Sequence, residues 1–417
     1  MANLGTFFAG LFGKKANTNT WRTVAMSDIQ DLNWWRGPTR SGKTVTPLSS
    51  LDIPVVLSAA RVIAEGVAQL PLVIKKGSLN GDRMHFSPAY DHPAWNLLRK
   101  RPNSWMTSFE FREALTMQAV LNGNGYAYIV RGLKNRIVEL IPIHSDMCQA
   151  EQLTDYTVQY RVSDGRKLLG VIPKEDILHI HGPSWNMFSG LNVVTKASEA
   201  IGLADALQDQ QSILAGNGGR PSGVLSNKQP LSTESKEKLK TAWQERFGPG
   251  GEGGVAILDG EWNYASMSMS GVDQQHVQSR EHQIAEIARA FRVFPQMLMS
   301  AVDKTTTYGS AEQFFIAHVK HTLGPWIERW EQAIERDILR DDAFECELDT
   351  AFLEAGTMMD RAEFYAKALG TGHPETAWLT KNDVRAREGY NPVDGGDEFP
   401  KPTDPAGQQQ PQGQPAP

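Results

Sequence analysis

The second half of this chain places a compact unit between two helical patterns, and this arrangement limits the folds that the sequence can adopt. Apolar residues recur at helical spacing over residues 193–215 and again over 273–292. Between them, residues 222–225 and 255–258 have the character of strands, and a short helical pattern begins at Ser232. The sequence therefore predicts a helical hairpin that carries a strand–helix–strand unit at its tip.

A long amphipathic helix is predicted after the hairpin. It follows a polar, threonine-rich loop at residues 303–309, and its large apolar residues are spaced by three or four from Phe315 to Ile338. Gly324 and Pro325 lie inside this pattern, which continues after them. The sequence therefore predicts a kink at these two residues rather than the end of the helix.

The first half mixes helices with short strands. Apolar spacing predicts a helix from an N-cap at Asp52 to Leu70, and a capping box formed by Thr107 and Glu110 begins a second helix. Short apolar segments predict strands at residues 126–130, 137–141, 158–162 and 168–172. We therefore assign the chain to the α+β class, with helices packed on antiparallel sheet.

The overall composition excludes several functional classes. With 417 residues, of which 40% are hydrophobic, the chain is long enough for about two or three domains. Cys148 and Cys346 are too few for a disulfide framework or a cysteine metal cluster. A net charge of −6 lacks the basic signature of a tight nucleic-acid binder, although it permits a protein that encloses nucleic acid. No apolar run reaches the roughly 18 residues of a membrane helix, so we expect no membrane partner.

The sequence GPTRSGKT at residues 37–44 matches the phosphate-loop pattern GxxxxGK[ST] letter for letter. That chemistry needs a buried strand before the loop and a helix that begins at the threonine. The preceding residues are polar, and Pro47 falls where the helix should run. We interpret the match as a coincidence in a flexible arm. A nucleotide hydrolase that uses Lys43 and Thr44 is retained as the alternative function.

No catalytic or metal centre is evident from the residue pattern. His179 and His181 alternate along one strand face, which we expect to be half-exposed, and no third metal ligand is near them in sequence. His318 and His321 lie one turn apart on the long helix, where a solvated or interface edge is expected. We predict no cofactor, no metal and no enzymatic activity.

Several segments, in a fixed order along the chain, carry a resemblance to a known family. They are residues 61–72, 92–112, 219–225, 286–295, 307–326, 382–385 and 395–397. Together they resemble the portal proteins of tailed bacteriophages, in the branch typified by phage Hong Kong 97. The resemblance covers about residues 50–399. It departs from the family at residues 293–295, where a small residue or proline is more usual before Pro295, and in the Gly-rich loop at 248–254.

The resemblance implies a portal-like fold that assembles as a ring. Its parts would be a flexible arm (1–50), a mixed wing (51–192), a stem helix (193–216), a clip (217–270), a second stem helix (271–293), a tunnel loop (294–309), a long kinked helix with the wing return (310–354), a helical crown (355–399) and a disordered tail (400–417).

The resemblance also implies a function. Usually twelve identical subunits form a channel at one capsid vertex, through which double-stranded DNA is packaged and ejected. The expected partners are the terminase large subunit, a head–tail adaptor and the major capsid or scaffolding protein. The expected location is the virion, with the host cytoplasm during assembly. A head–tail adaptor is a further alternative, disfavoured because adaptors are usually much shorter chains.

Two groups of candidate residues follow from this resemblance. The tunnel loop would face DNA through Asp303, Lys304, Thr305, Thr306, Thr307 and Tyr308. The clip would dock the packaging motor through Arg220, Lys228, Lys236, Lys240 and Trp243. The residues themselves agree on one point: a net charge of −6 suits a conduit, because each neutralised phosphate would add affinity and oppose sliding.

Overall fold

The protein is described from a computed structural model. The structure describes residues 38–80, 83–163, 168–216, 223–227, 232–235, 237–238, 241, 262–266, 272–298, 308–350, 353, 358–371, 373 and 376–399. The chain divides into two units, Met1–Asp349 and Thr350–Pro417. Within the described parts, no helix combines the length and the apolar character needed to cross a membrane.

Helices and strands alternate in short groups along the chain. The helices are α1 (Pro47–Ser50), α2 (Pro54–Ala68), α3 (Trp95–Arg99), α4 (Ser108–Asn122), α5 (Val193–Lys196), α6 (Ser198–Gly216), α7 (Val272–Phe291), α8 (Tyr308–His318), α9 (Gly324–Ile334), α10 (Met358–Ala368) and α11 (Lys381–Arg387). The strands are β1 (Leu72–Asn80), β2 (Arg83–Pro88), β3 (Asn124–Arg131), β4 (Ile137–Ile143), β5 (Cys148–Gln152), β6 (Val158–Ser163), β7 (Leu168–Pro173), β8 (Ile177–His181), β9 (Gly223–Asn227), β10 (Trp262–Ser266) and β11 (Phe344–Leu348).

The two main helices of the first half, α2 and α4, pack against each other. Their N-termini are capped differently. The predicted N-cap at Asp52 is wrong: the cap position is Ile53, without a side-chain hydrogen bond, and Pro54 opens the helix. Proline suits this position because its fixed φ is helical and its missing N–H would have had no helical partner. The capping box of Thr107 and Glu110 is confirmed, and both of its reciprocal hydrogen bonds are present.

The strands of the first unit form antiparallel sheets, and the four strands predicted from sequence are confirmed within two residues of their ends. The orders are β11–β1–β2, β4–β3–β8, β5–β6–β7 and the pair β10–β9. The second and third sheets share one apolar cluster that includes Tyr126, Ile143, Tyr160 and Ile172. Cys148 belongs to the same cluster, and burial raises the pKa of its thiol, as expected for a structural cysteine.

The helical hairpin of the second half is formed by α6 and α7, which contact each other. Between them, β9 and β10 pair antiparallel, and residues 233–235, 237–238 and 241 are helical. The first predicted strand is confirmed as β9. The second paired strand is β10, which begins at Trp262, whereas the predicted strand at 255–258 lies outside the described residues.

The long helix continues through Gly324 and Pro325, as the apolar pattern predicts. Two wider π-helical turns interrupt it, Val319–Leu323 before α9 and Glu335–Leu339 after it. Pro325 lies in the first turn of α9, directly after the first π turn. An i→i+5 turn at this point accommodates a residue that cannot donate a backbone hydrogen bond. A bend of the axis at Gly324 and Pro325 stays a prediction.

The last turns of the long helix bind the backbone of two edge strands. The Glu335 and Glu331 carboxylates accept hydrogen bonds from the backbone N–H of Cys346 (2.9 Å) and of Leu348 (2.7 Å) in β11. On the other side, Arg336 donates to the carbonyl oxygen of His179 in β8 at 3.0 Å. These contacts satisfy polar groups that an open sheet edge would otherwise leave unpaired.

The second unit contains α10 and α11. A capping box at Thr380 and Asp383 begins α11. The buried Asn382 then holds the following loop, because its side-chain amide donates to the Val393 carbonyl (3.0 Å) and accepts from the Val393 N–H (2.8 Å). The assignment of residues 355–399 to a helical crown stays a prediction.

Replacement of Trp330 tests how far the long helix anchors the first unit. Trp330 is 0% exposed, and its indole N–H donates to the Thr116 hydroxyl at 2.9 Å. Trp330→Phe removes this donor and leaves a void, so we expect the free energy of unfolding to fall by about 2–4 kcal/mol in urea titration. Trp105→Phe, at a side chain that is 59% exposed, is the matched control and should change it by less than about 0.5 kcal/mol. Equal effects of the two variants would contradict the anchoring role.

Candidate functional site

Residues 38–46, here called the strap, lie against α6 and contain most of the phosphate-loop match. The sequence predicted a flexible arm through residue 50, whereas the structure holds the strap in a compact turn. The N–H groups of Thr39 and Gly42 donate to backbone carbonyls within the strap, both at 2.8 Å. The N–H of Lys43 donates to the Thr39 hydroxyl at 3.3 Å, and that of Arg40 to the Glu199 carboxylate at 3.2 Å. Backbone donors that a phosphate would need are therefore already used.

Lys43, the candidate phosphate-binding lysine, is paired with two carboxylates of α6. Its ammonium group lies 3.1 Å from the Asp205 carboxylate and also contacts that of Asp209. The hydrogen bonds to Asp209 and Asp205 raise the pKa of Lys43. The helix after the strap begins at Pro47 and has four residues, so no helix N-terminus faces the loop at Thr44. The arrangement gives the nucleotide-hydrolase alternative no support.

Close contact between the strap and α6 requires a glycine. A Cβ at Gly202 would lie 2.6 Å from the Thr39 hydroxyl oxygen, closer than such atoms approach. Thr39 itself is buried. Asp205 and Asp209, spaced by four residues, share the face of α6 that receives Lys43. The four-residue spacing of Asp205 and Asp209 is the only feature of the sequence that points to this contact. The sequence alone does not identify Lys43 as the partner of these two residues.

His179 lies in a buried polar network rather than on a half-exposed face, so that expectation is wrong. Its Nε2–H donates to the Asn124 side-chain oxygen at 3.0 Å, and its Nδ1 accepts from the Tyr160 hydroxyl at 3.1 Å. The tautomer follows from Asn124, whose oxygen also accepts from the Gly190 N–H at 2.8 Å. The His179 backbone N–H donates to the Asp337 carboxylate at 3.2 Å. Burial, and then the nearby His181 and Arg336, lowers the pKa of His179 well below its usual value.

His318 and His321, which the sequence placed together at a solvated or interface edge, differ in their burial. His318 is buried, whereas His321 is exposed, so the expectation of a solvated or interface edge is wrong for His318. Among the described residues, no group of three or more His, Cys, Asp or Glu side chains is arranged to hold a metal ion.

A groove follows one side of the helical hairpin. One cavity of about 520 Å³ lies between the strap, α6 and α7, and a second of about 600 Å³ continues from it toward α5. The two cavities share Glu199, Ala200 and Glu286 as lining residues. At the far end of the hairpin, Arg280 donates to the Gln211 side chain at 2.6 Å and links α7 to α6.

Most of the candidate residues in the clip and the tunnel loop fall outside the described residues. These are Arg220, Lys228, Lys236, Lys240 and Trp243 in the clip, and Asp303, Lys304, Thr305, Thr306 and Thr307 in the tunnel loop. Tyr308, the last candidate of the tunnel loop, is the first residue of α8. The roles of all these residues stay predictions.

Comparison with known proteins assigns the family. The family model described as "Phage portal protein" matches residues 54–389, well over half of the chain. The chain belongs to the phage portal protein family. The portal protein of Enterobacteria phage HK97 is 30% identical over 352 residues, which cover 83% of this chain and 81% of that protein.

Solved structures show the same portal fold at lower identity. An HK97-family phage portal protein from Corynebacterium diphtheriae has a TM-score of 0.56 at 19% identity, over 78% of this chain and 100% of that one. A chain from the neck of a native gene transfer agent particle, computed with C12 symmetry, has a TM-score of 0.56 at 21% identity, over 86% of this chain and 95% of that one. The α+β prediction is confirmed by these folds.

Loss of the Lys43 ammonium group should loosen the strap and leave nucleotide binding unchanged. In Lys43→Ala, tryptic cleavage after Arg40 should become faster, because local opening of the strap exposes that bond. Asp205→Asn combined with Asp209→Asn should reproduce the effect, and added salt should reduce the difference from the wild type.

Lys238→Ala is the matched control for the strap, because it removes an exposed lysine paired with Glu234 on its own helix. Binding of a fluorescent ATP analogue is the second measurement. Saturable binding by the wild-type chain that disappears in Lys43→Ala would contradict this account of the strap and favour the hydrolase.

Buried neutral His179 should make the stability of the protein depend on acid pH. Its pKa is lower in the folded than in the unfolded chain, so the unfolded state takes up the proton first. The histidine's contribution is fully present above pH about 6.5 and should decrease by up to about 1.4 kcal/mol per pH unit below it. Urea titrations from pH 7.5 to 5 should show a smaller slope for His179→Gln than for the wild type.

His321→Gln changes an exposed histidine on the long helix and should retain the wild-type slope. The comparison between variants matters because other groups titrate in the same range. A wild-type slope in His179→Gln would show that the imidazole is not held in its neutral form.

Proposed function

We propose that this chain is the subunit of a portal ring at one capsid vertex, through which double-stranded DNA is packaged and ejected. The observation that carries the proposal is family membership, supported by a 30% identical portal protein that aligns with most of both chains. A related fold occurs in a particle neck computed with C12 symmetry. We extend the same organisation, a closed ring of about twelve copies, to this chain.

The charge of α6 supports a conduit rather than a clamp, because this helix carries no basic side chain even where Lys43 pairs with two of its carboxylates. Residues 198–216 of α6 include three acidic side chains, Glu199, Asp205 and Asp209, and no basic one. A basic channel would neutralise phosphates and release counterions, and that affinity would oppose movement of the DNA. The strap is compatible with a conduit that carries out no nucleotide chemistry, because Lys43 is paired with carboxylates instead of facing an open phosphate site.

The tunnel loop is proposed to contact DNA without reading its sequence. Within the proposed tunnel loop, the structure describes a short turn at Pro295–Leu298 and the start of α8 at Tyr308, and the candidate residues 303–307 lie between them in sequence. Lys304 and the threonines beside it offer one cation and several hydroxyl groups, which suit weak contacts to phosphate. We propose in the same way that the clip docks the terminase large subunit and later a head–tail adaptor. The wing would contact the capsid or scaffolding protein.

A loop replacement combined with mass measurement tests the proposal. Native mass spectrometry of the wild-type chain should give a closed ring of about twelve copies, with a central hole in negative-stain images. Replacement of residues 303–307 by five Gly and Ser residues keeps the loop length. This variant should form the same ring and should lose DNA packaging or retention in an assembly assay.

Replacement of residues 154–157, an exposed turn between β5 and β6, by four Gly and Ser residues is the matched control and should package normally. A loop variant that forms no ring would place the tunnel loop in the subunit interface. A wild-type chain that stays monomeric with its capsid proteins present and binds nucleotide would overturn the portal assignment.

A further inference from the structure

The groove beside the helical hairpin has apolar walls. Its cavity of about 600 Å³ near α5 is lined in large part by small and apolar residues: Leu191, Val193, Ala197, Ala200 and Ala290. In the adjoining cavity of about 520 Å³, the side chain of Leu203 is 42% exposed. Cavities of about 300–1,000 Å³ with apolar walls are typical of sites that receive apolar groups. The groove therefore offers a recess for apolar side chains.

The end of the groove next to the strap contains a buried acceptor without a donor. Gln283 lines this cavity, and its buried side-chain oxygen accepts no hydrogen bond from any described residue. Glu199 and Glu286 line the same cavity, together with one guanidinium group, that of Arg40. Because a buried acceptor without a partner costs free energy, an occupant with N–H donors would be stabilised here. This end therefore suits a cationic group.

The beginning of the chain contains a segment of matching chemistry, residues 4–15, here called the N-terminal segment. Its large apolar residues have the i, i+3, i+4 spacing of one helix face: Leu4, Phe7, Phe8, Leu11 and Phe12. Lys14 and Lys15 follow directly, and the first acidic residue of the chain is Asp28. An apolar helix face that enters a groove is a recurrent mode of peptide recognition. The segment thus joins an apolar part to two cations, as the groove joins an apolar cavity to a polar one.

The strap brings the N-terminal part of the chain to the edge of the groove. Arg40 and Ser41 of the strap line the cavity at that edge. Residues 16–37 connect the N-terminal segment to the strap. A chain of this length spans about 25 Å on average as a coil and about 70 Å when fully extended. A tether of this length gives a local concentration on the order of millimolar, which favours the chain's own segment over a free competitor of similar affinity.

We propose that the N-terminal segment docks in the groove of its own chain, with its apolar face toward α5 and its lysines beside Gln283. Gly5 and Gly10 weaken the helix in isolation, so we expect the segment to become helical on contact. Docking would hold the start of the chain against the helical hairpin. The proposal goes beyond the portal function and does not require a ring.

Cross-linking in the full-length chain tests the docking, because both native cysteines are buried and free. The double variant Ala9→Cys with Ala290→Cys places one thiol next to Phe8 and one on an exposed residue that lines the groove. A short bismaleimide should join the two thiols within one chain, as identified by mass spectrometry of the peptides. Ala9→Cys with Leu133→Cys is the matched control and should react much more slowly, because Leu133 is 94% exposed on another loop.

Two outcomes of the cross-linking experiment would overturn the proposal. Equal rates in the two double variants would show that the N-terminal segment has no preferred site. Cross-links that join different chains, seen as a ladder of covalent oligomers on a denaturing gel, would show that the groove receives the segment of another copy.

A pair of aspartate substitutions tests the apolar face of the segment in the Ala9→Cys, Ala290→Cys background. Phe8→Asp should lower the cross-linking rate by about tenfold or more, because it removes a buried phenyl group. Thr6→Asp adds the same charge on the opposite side of the helical pattern and should retain the rate. Equal rates in the two variants would overturn docking through the apolar face. Ring formation is read separately by native mass spectrometry, so failure of the docking leaves the portal function intact.

Discussion

The first unit depends on one helical segment that completes the open edges of two sheets. A buried backbone group without a partner costs about 1–3 kcal/mol, and an edge strand exposes a row of such groups. Glu331 and Glu335, one turn apart, accept hydrogen bonds from β11. Arg336 and Asp337 bind the carbonyl and the N–H of His179 in β8. The same helix therefore takes the place of a missing strand on both sides, and it joins the sheet of β1 and β2 to the sheet of β3 and β4.

Charge pairing fastens the strap to α6 of the helical hairpin. Lys43 lies between Asp205 and Asp209, so the strap neutralises much of the acidic face of α6 near its middle. Because both carboxylates are partly exposed, this contact is screened by salt and acts as a local fastening rather than as a source of global stability. The strap is therefore fastened to α6 through its own residues, chiefly Lys43.

Residue spacing and capping patterns along the sequence predict many of the helices and strands, but few of the contacts at the candidate site. The capping box at Thr107, strand β9 and the continuation of the long helix past Pro325 could be predicted because period and caps are local properties. Strands β2, β5 and β11 could not, since pairing partners rather than their own patterns define them; β11 pairs with β1 across more than 250 residues. The burial of His179 had no local signal either, because its partners come from β3, β6 and the long helix. The strap's contact with α6 joins residues 166 positions apart.

Asn124 connects the buried network to the exposed loop. Its side-chain oxygen accepts from the His179 imidazole and from the Gly190 N–H, so one atom holds both the core histidine and the base of the exposed loop at residues 183–190. His179 is bound in turn by Arg336 and Asp337 at the end of the long helix, whose first residue is Tyr308. Hydrogen bonds through His179 and Asn124 therefore link the end of the long helix to the base of the exposed loop at residues 183–190. Because buried polar groups are held in fixed geometry by their partners, the position of this loop is determined by the core and not by solvent.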